Sequence, residues 1–161
     1  MLKLKTSLVT CLIAVLSTTP ALSQESNFGE VSLAPGFPPG SVQVVGHTGG
    51  SYPLPSIANR DSKNKPCYGY GDETPDHIFV LEKDFSNLSI LVNSGGKNTT
   101  LVVKGPDGKF YCGDDTGSSE DASLRNLDLP TGSYQLWVGS VQAGQNWNYT
   151  LTVEEQPGKI R

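Results

Sequence analysis

The stretch Thr99–Asp115 reads Thr-Thr-Leu-Val-Val-Lys-Gly-Pro-Asp-Gly-Lys-Phe-Tyr-Cys-Gly-Asp-Asp. Its first part is β-branched and apolar, and its last part places two aromatic residues beside a cysteine, which is typical of strands. Between these parts, Pro106 suits the second position of a β-turn and Gly108 suits the fourth. The stretch therefore predicts an antiparallel hairpin whose second strand runs into an acidic loop.

Short segments of alternating polarity lie on both sides of this hairpin. In Ser133–Gly139, alternation places Tyr134, Leu136 and Val138 on one face and Trp137 on the other. Such alternation predicts half-buried antiparallel strands. Because these segments recur between Gly-rich turns and no helix is evident, the sequence predicts an all-β, antiparallel, jelly-roll-like β-sandwich of about seven to nine strands.

The first residues are typical of a secretory signal peptide. Lys3 and Lys5 precede the apolar run Leu8–Leu16, and Ala21-Leu22-Ser23 offers small residues for a signal peptidase. We predict cleavage after Ser23, because the run is too short for a permanent membrane anchor. An uncleaved anchor is the alternative. The expected protein is secreted or periplasmic, with no stable membrane insertion.

The rest of the chain is predicted to be one domain. Residues 24–40 form an N-terminal arm with a Pro/Gly-rich segment, since prolines interrupt both helix and sheet hydrogen bonding. Residues 41–156 form the sandwich, and residues 157–161 form a C-terminal tail. Nothing in the sequence indicates the oligomeric state.

The charge balance argues against two classes of partner. Removing a leader that contains Lys3 and Lys5 leaves 10 basic and 16 acidic residues, a formal charge of −6. Nucleic acids and anionic membranes select for basic patches. We therefore expect no nucleic-acid partner.

Cys67 and Cys112 remain after removal of the leader. In an exported protein a disulfide between them is the default expectation. A loop of 45 residues closed in this way stabilises a fold by about 4 kcal/mol on the chain-entropy account. Two buried free thiols, or a zinc site with His47 and His77, are the alternatives, although no Cys-x-x-Cys pair supports zinc.

The acidic loop predicted after the hairpin contains four carboxylates and no basic residue. Calcium prefers six to eight oxygen ligands, and the hydroxyls of Thr116 and Ser118 lie in the same stretch. The spacing is not that of an EF-hand, and a solvated acidic loop is the alternative. The sequence predicts a structural calcium site with these candidate ligands: Asp114, Asp115, Glu120 and Asp121.

Aromatic residues suggest a surface on which sugar rings stack. The candidates are Trp147, Trp137 and Tyr111, with Trp147 favoured because it starts a predicted strand beside a polar turn. Tyr68 and Tyr70 flank Gly69 next to a cysteine. Most Trp and Tyr side chains in a small sandwich belong to the core, so a structural role is the expectation for each residue alone.

A hydrolase site receives little support from the sequence. The chain contains no Gly-x-Ser-x-Gly motif. Asp76 and His77 are adjacent, so in a strand their side chains point to opposite faces. We expect His77 to be a surface or partly buried hydrogen-bonding residue rather than a catalytic base.

Several motifs together resemble the bacterial pre-peptidase C-terminal domain and its stand-alone exported relatives. They are Pro75-Asp76-His77, Thr99–Val103 followed by Gly105–Gly108 and Cys112–Asp115, Gly132–Ser140, and Tyr149–Thr152. The resemblance implies a jelly-roll-like sandwich that is not itself catalytic. Distant relatives include collagen-binding modules of bacterial collagenases, some of which bind calcium. No peptidase domain precedes the module in this sequence.

These observations lead to one expected function and one alternative. The expected function is a non-catalytic exported module that binds an extracytoplasmic polysaccharide or protein, with calcium as a structural ion. The alternative is a small secreted hydrolase, or a peptidase-associated inhibitor or chaperone-like module. A pocket holding a His, Ser or Asp cluster distinguishes an enzyme from a binding module.

Overall fold

A computed structural model describes residues 24–156, so the predicted signal peptide and C-terminal tail lie outside the described residues. The described chain forms eleven strands and one 3-10 helix, Leu54–Ser56. The strands are β1 (Glu30–Leu33), β2 (Val42–His47), β3 (Tyr52–Pro53), β4 (Tyr70–Gly71), β5 (His77–Leu81), β6 (Phe85–Asn93), β7 (Thr99–Lys104), β8 (Phe110–Thr116), β9 (Ser119–Leu129), β10 (Gly132–Ser140) and β11 (Asn148–Glu155).

One continuous hydrogen-bonded path connects nine strands in the order β1-β5-β10-β7-β8-β9-β6-β11-β2. The path folds over at β8, which pairs with β7 through Phe110–Gly113 and with β9 through Asp114 and Thr116. The two halves of the path therefore face each other as the layers of a β-sandwich. The predicted fold class is confirmed, and the two remaining strands, β3 and β4, have only two residues each.

The main core lies between the two layers. Phe79 and Leu136 face inward from one layer, and Ile90 and Leu151 face inward from the other, with each side chain no more than 1 % exposed. These residues occupy alternate positions along their strands, as the period of an extended chain requires. Burial of this apolar surface is the main force that holds the layers together.

A second, smaller core lies on the outer face of the layer that contains β7, β8 and β10. The 3-10 helix and the chain that leads from it to Cys67 cover this face. The buried members of this second core are Leu54, Ala58, Cys67, Val102, Cys112 and Trp137. One layer is therefore apolar on both faces.

The N-terminal arm contributes a strand to the sandwich. β1 pairs in parallel with β5, with Val31 opposite Phe79, whereas the other strand pairs in the described chain are antiparallel. Parallel pairing needs a long connection, and residues 34–76 supply one. The Pro/Gly-rich segment 34–41 lies between β1 and β2, which form the edges of different layers.

The hairpin of β7 and β8 has the predicted turn, with the Gly108 amide donating to the Gly105 carbonyl at 3.0 Å. The acidic loop expected after it is not a loop. β8 continues through both aspartates to Thr116, and β9 begins at Ser119. The two strands leave only Gly117 and Ser118 as a tight turn, because Thr116 pairs directly with Ser119.

Candidate functional site

The four carboxylates predicted to bind calcium do not converge on one point. Among residues 24–156, no group of three or more His, Cys, Asp or Glu side chains is arranged to hold a metal ion. These residues lie in β8 and β9, where the backbone is extended and paired rather than forming a loop around an ion. The predicted ligand set is therefore corrected.

Asp121 has a structural role. Its carboxylate accepts hydrogen bonds from the backbone amides of Ser94 and Gly96, at 2.8 and 3.1 Å, and from the hydroxyl of Ser94. These bonds fasten the turn after β6 to the start of β9. Asp114 and Glu120 instead lie in two different surface depressions. Calcium binding stays a prediction from the sequence.

Cys67 and Cys112 form the predicted disulfide, with 5.3 Å between their Cα atoms. The two sulfur atoms are bonded to each other. The alternatives, two free thiols or a zinc site that uses these cysteines, are therefore wrong. The bond lies inside the second core and ties the covering segment to β8.

Two of the three predicted sugar-stacking residues are not surface platforms. Trp137 faces away from the main core, as alternation predicts, but it is only 4 % exposed because residues 54–67 cover it. Its indole nitrogen donates to the Glu73 carbonyl at 3.1 Å. Tyr111 is half-buried and packs against the main core. The assignment of Trp137 as a ligand-binding residue is therefore wrong.

Trp147 does reach the surface, in a depression of about 320 Å³. The other residues that line it are Gly96, Lys97, Asn98, Glu120, Val141 and Gln142. An aromatic ring beside amide, carboxylate and ammonium groups provides both a stacking face and hydrogen-bonding partners.

A second depression, of about 470 Å³, lies next to the first. It is lined by Pro53, Pro55, Tyr68, Gly69, Tyr70, Asp114 and Val141. Val141 lines both depressions, so they adjoin. We call the two together the Tyr68–Trp147 surface. Three of the four large hydrophobic residues exposed in the described chain, Tyr68, Tyr70 and Val141, lie on it.

The backbone around Tyr68 and Tyr70 is held from several sides. The preceding residue, Cys67, is fixed by the disulfide, and the Gly69 carbonyl accepts a bond from the Leu54 amide at 2.9 Å. Gly69 has φ +99° and lies directly on Thr100, so no side chain fits there. The two tyrosines are therefore presented on a rigid segment, which lowers the entropic cost of binding.

The backbone on the Trp147 side is held by a buried threonine. The Trp147 amide donates to Thr48 Oγ1 at 3.0 Å, and that hydroxyl donates to the Gln145 carbonyl at 2.8 Å. The Val141 amide donates to the Asn98 carbonyl at 3.1 Å, which joins the two loops that line the depression. The depression is therefore built from segments that hydrogen bonds hold together.

The sequence contained a weak signal for this surface. Tyr68-Gly69-Tyr70 follows a cysteine directly, and both rings are exposed, at 51 % and 37 %, rather than buried in the core. Asn98, Gln142 and Val141 carried no signal. They come from separate connections between strands, and only the folded chain brings them together.

The histidines form a separate cluster with Phe28 and Tyr149. His77 is 1 % exposed, and its Nε2 is 3.0 Å from Tyr149 Oη. The ring of Phe28 contacts both imidazoles, with centroids 4.9 Å from His47 and 5.6 Å from His77. His77 is thus fully buried rather than at the surface, because the N-terminal arm covers it.

Burial determines the protonation of this cluster. It lowers the pKa of His77 to about 4, since the charged imidazolium loses its hydration there. Burial also raises the pKa of Asp76 to about 6, although the Val138 amide donates to its carboxylate at 2.7 Å. The carboxylate of Asp76 also accepts from the Asn27 side-chain amide at 3.3 Å, so Asp76 and His77 have different hydrogen-bond partners. In the described chain neither imidazole is hydrogen-bonded to a Ser, Thr or Cys side chain, so nothing favours the hydrolase alternative.

Comparison with known proteins gives one solved structure. No protein-family model matches the chain, and none of the curated proteins matches it. The crystal structure of the pre-peptidase C-terminal domain of a collagenase from Bacillus anthracis is similar in fold, at 17 % sequence identity and a TM-score of 0.48. The match covers 84 % of this chain and 100 % of that one. The Bacillus anthracis domain is a member of the family that the sequence motifs of this chain resemble.

No helix among residues 24–156 has the length and apolar character needed to cross a bilayer.

Proposed function

We propose that this protein is an exported, non-catalytic β-sandwich module that binds an extracytoplasmic polysaccharide through the Tyr68–Trp147 surface. The observation that carries the proposal is the clustering of exposed Tyr68, Tyr70 and Val141 beside a depression that contains Trp147. Exposed large hydrophobic groups that cluster, rather than scatter, are typical of binding surfaces.

The chemistry of the surface suits sugars. The apolar C–H face of a pyranose ring packs on an aromatic ring, and tyrosine and tryptophan combine such a face with a polar group. Sugar hydroxyls donate to carboxylates such as Asp114 and Glu120, and they both donate to and accept from the amides of Asn98 and Gln142.

A polysaccharide fits this surface better than a protein partner does. Protein–protein interfaces usually have an extended apolar core with several aromatic anchors. Here only three exposed large hydrophobic residues line the surface, and they lie in two depressions that also have polar lining residues. The disulfide supports the exported location, because such bonds persist in oxidising compartments.

The proposal is tested with the mature chain that begins at Gln24. Binding to hydroxyethyl cellulose, xylan, laminarin and peptidoglycan is measured by affinity electrophoresis or pull-down, with calcium and with a chelator. We expect binding to at least one of these polymers. Replacing both tyrosines (Tyr68→Ala, Tyr70→Ala) should weaken it at least about tenfold, since the stacking contacts are lost.

Val45→Ala is the matched control, because Val45 is the one large hydrophobic in the described chain that is exposed away from this surface, at 69 %. It should leave binding unchanged, and thermal melts of all variants show that they fold. Unchanged binding by the double tyrosine variant, or binding to no polysaccharide together with specific capture of a protein, overturns the proposal.

A further inference from the structure

We infer that the polysaccharide is linear and carries no acid groups, and that it occupies both depressions of the Tyr68–Trp147 surface at once. This inference rests on the proposed function and specifies its ligand. It follows from the continuity of the surface, from its charges and from one side chain without a hydrogen-bond partner.

The continuity of the surface argues for an extended ligand. Val141 is 41 % exposed and separates an aromatic group at one end, Tyr68 with Tyr70, from Trp147 at the other. The two depressions have similar volumes, about 470 and 320 Å³. A chain of several sugar rings contacts both ends, whereas a single ring contacts only one of them.

The charges argue against polymers that carry acid groups. Each depression contains one carboxylate, Asp114 in one and Glu120 in the other, and Lys97 is the one basic residue that lines either of them. A polyanion brings like charges against both carboxylates, which is a common means of rejecting wrong partners. Neutral hydroxyls, by contrast, donate to the carboxylates at no such cost.

Asn98 provides an independent indication of a hydroxyl-bearing ligand. Its Oδ1 is buried and has no hydrogen-bond partner, although the residue lines the Trp147 depression. Turning this amide toward a ligand breaks no hydrogen bond of the oxygen, and a hydroxyl donor then satisfies an acceptor that is otherwise unpaired. A sugar hydroxyl bound at this position therefore gives Asn98 Oδ1 the hydrogen bond that it lacks in the free protein.

The charge part of the inference is tested with polymer pairs that share a backbone. Hydroxyethyl cellulose is compared with carboxymethyl cellulose, and laminarin is compared with its carboxymethyl derivative. We expect the uncharged member of a pair to bind at least about tenfold more tightly. The double variant Asp114→Asn, Glu120→Gln should reduce the difference in affinity between the two members of a pair. Equal or tighter binding of a charged polymer overturns the inference.

The length and Asn98 parts are tested by titration calorimetry with cello- and laminari-oligosaccharides of increasing length. Affinity should rise until both depressions are filled, and Asn98→Ala should weaken binding about tenfold. Asn87→Ala is the control, because Asn87 Oδ1 is also buried and unpartnered but lies outside both depressions. Full affinity for a disaccharide, or equal losses in the two asparagine variants, contradicts the inference.

Failure of this inference is distinguishable from failure of the proposed function. If a charged polymer binds best and the double tyrosine variant loses that binding, the proposed function stands and the inference fails. If no polysaccharide binds, both fail.

Discussion

The imidazole of His77 has surroundings that no local sequence pattern predicts. Alternation along β5 places it on the same face as Phe79, because that relation depends only on the geometry of a strand. Its burial depends instead on Phe28 and Tyr149, which are distant in the sequence and reach it from the N-terminal arm and from β11. Contacts of this kind follow from the topology, so the sequence alone gave no indication of them.

A pH dependence of stability follows from this burial. The folded state keeps His77 neutral, with a pKa of about 4 against 6.5 for an exposed imidazole. The contribution of neutral His77 to the free energy of unfolding is therefore fully present above pH 6.5 and is lost as the pH falls toward 4. Relative to the variant His77→Gln, the wild-type protein should lose about 2 to 3 kcal/mol of unfolding free energy between pH 7.5 and 4.5.

Urea unfolding of both proteins at the two pH values measures this difference. Asp76 acts in the opposite direction, since its pKa is raised to about 6: its contribution is complete below pH 3.8 and is lost as the pH rises through 6. Asp76 is present in both proteins and cancels in the comparison. An identical pH dependence of the two proteins would show that the buried imidazole does not control acid stability.

Strand β10 shows what an element's pattern predicts and what it omits. The alternation of Tyr134, Leu136 and Val138 against Trp137 correctly gave the inward face, and the second face was expected to be open or to cover an edge. The structure covers that face with residues 54–67, which the polar composition of the segment did not indicate. Tyr68 and Tyr70 directly follow this cover, so the sequence did not indicate their exposure either.

Close packing at Gly139 on β10 gives a second prediction. A Cβ atom at this position would lie 2.6 Å from the Tyr70 carbonyl oxygen, 2.7 Å from the Leu54 side chain and 2.8 Å from Thr100 Oγ1. Gly139→Ala should therefore displace β4, lower the unfolding free energy by about 2 kcal/mol and weaken polysaccharide binding.

Gly49→Ala is the matched substitution, because the nearest atom to its Cβ would be His47 Nδ1 at 3.9 Å and its φ is not positive. Thermal melts and affinity electrophoresis compare the two variants. Wild-type stability and binding in Gly139→Ala would mean that β4 and β10 separate more easily than their packing indicates.

For the whole molecule, the fold class was predictable from the sequence, but the pairing of the strands that complete the sandwich was not. Short alternating segments without helices suffice to predict a sandwich, because that pattern buries one face of each strand. The parallel pairing of β1 with β5 depends on contact between distant segments. The turn at Gly117 and Ser118 is local, and it replaces the predicted acidic loop because β8 and β9 pair as far as Thr116 and Ser119. The predicted calcium ligands lie in these two strands rather than in a loop.

The disulfide gives a prediction for the molecule as a whole. It closes a loop of 45 residues that includes the cover of the second core, so its removal increases the freedom of the unfolded chain. The double variant Cys67→Ala, Cys112→Ala should lose about 4 kcal/mol of unfolding free energy, and dithiothreitol should destabilise the wild-type protein similarly. Because the bond also fixes Tyr68, both treatments should weaken polysaccharide binding.

Urea unfolding with and without dithiothreitol provides the measurement. The double variant serves as the control, because it lacks both cysteines of the disulfide and its stability should not change with the reductant. A wild-type protein that keeps its denaturation midpoint after complete reduction would show that noncovalent packing alone holds the cover in place.

Strand β8 forms the edge of neither layer, because its first half pairs with β7 and its second half with β9. A single unbroken backbone thus belongs to both halves of the sandwich. If either half unfolds, the other half loses a partner strand, and the core between them is exposed to water. Neither half therefore keeps a buried core by itself. Loss of structure is accordingly expected to be cooperative, a single all-or-none step without a half-folded species.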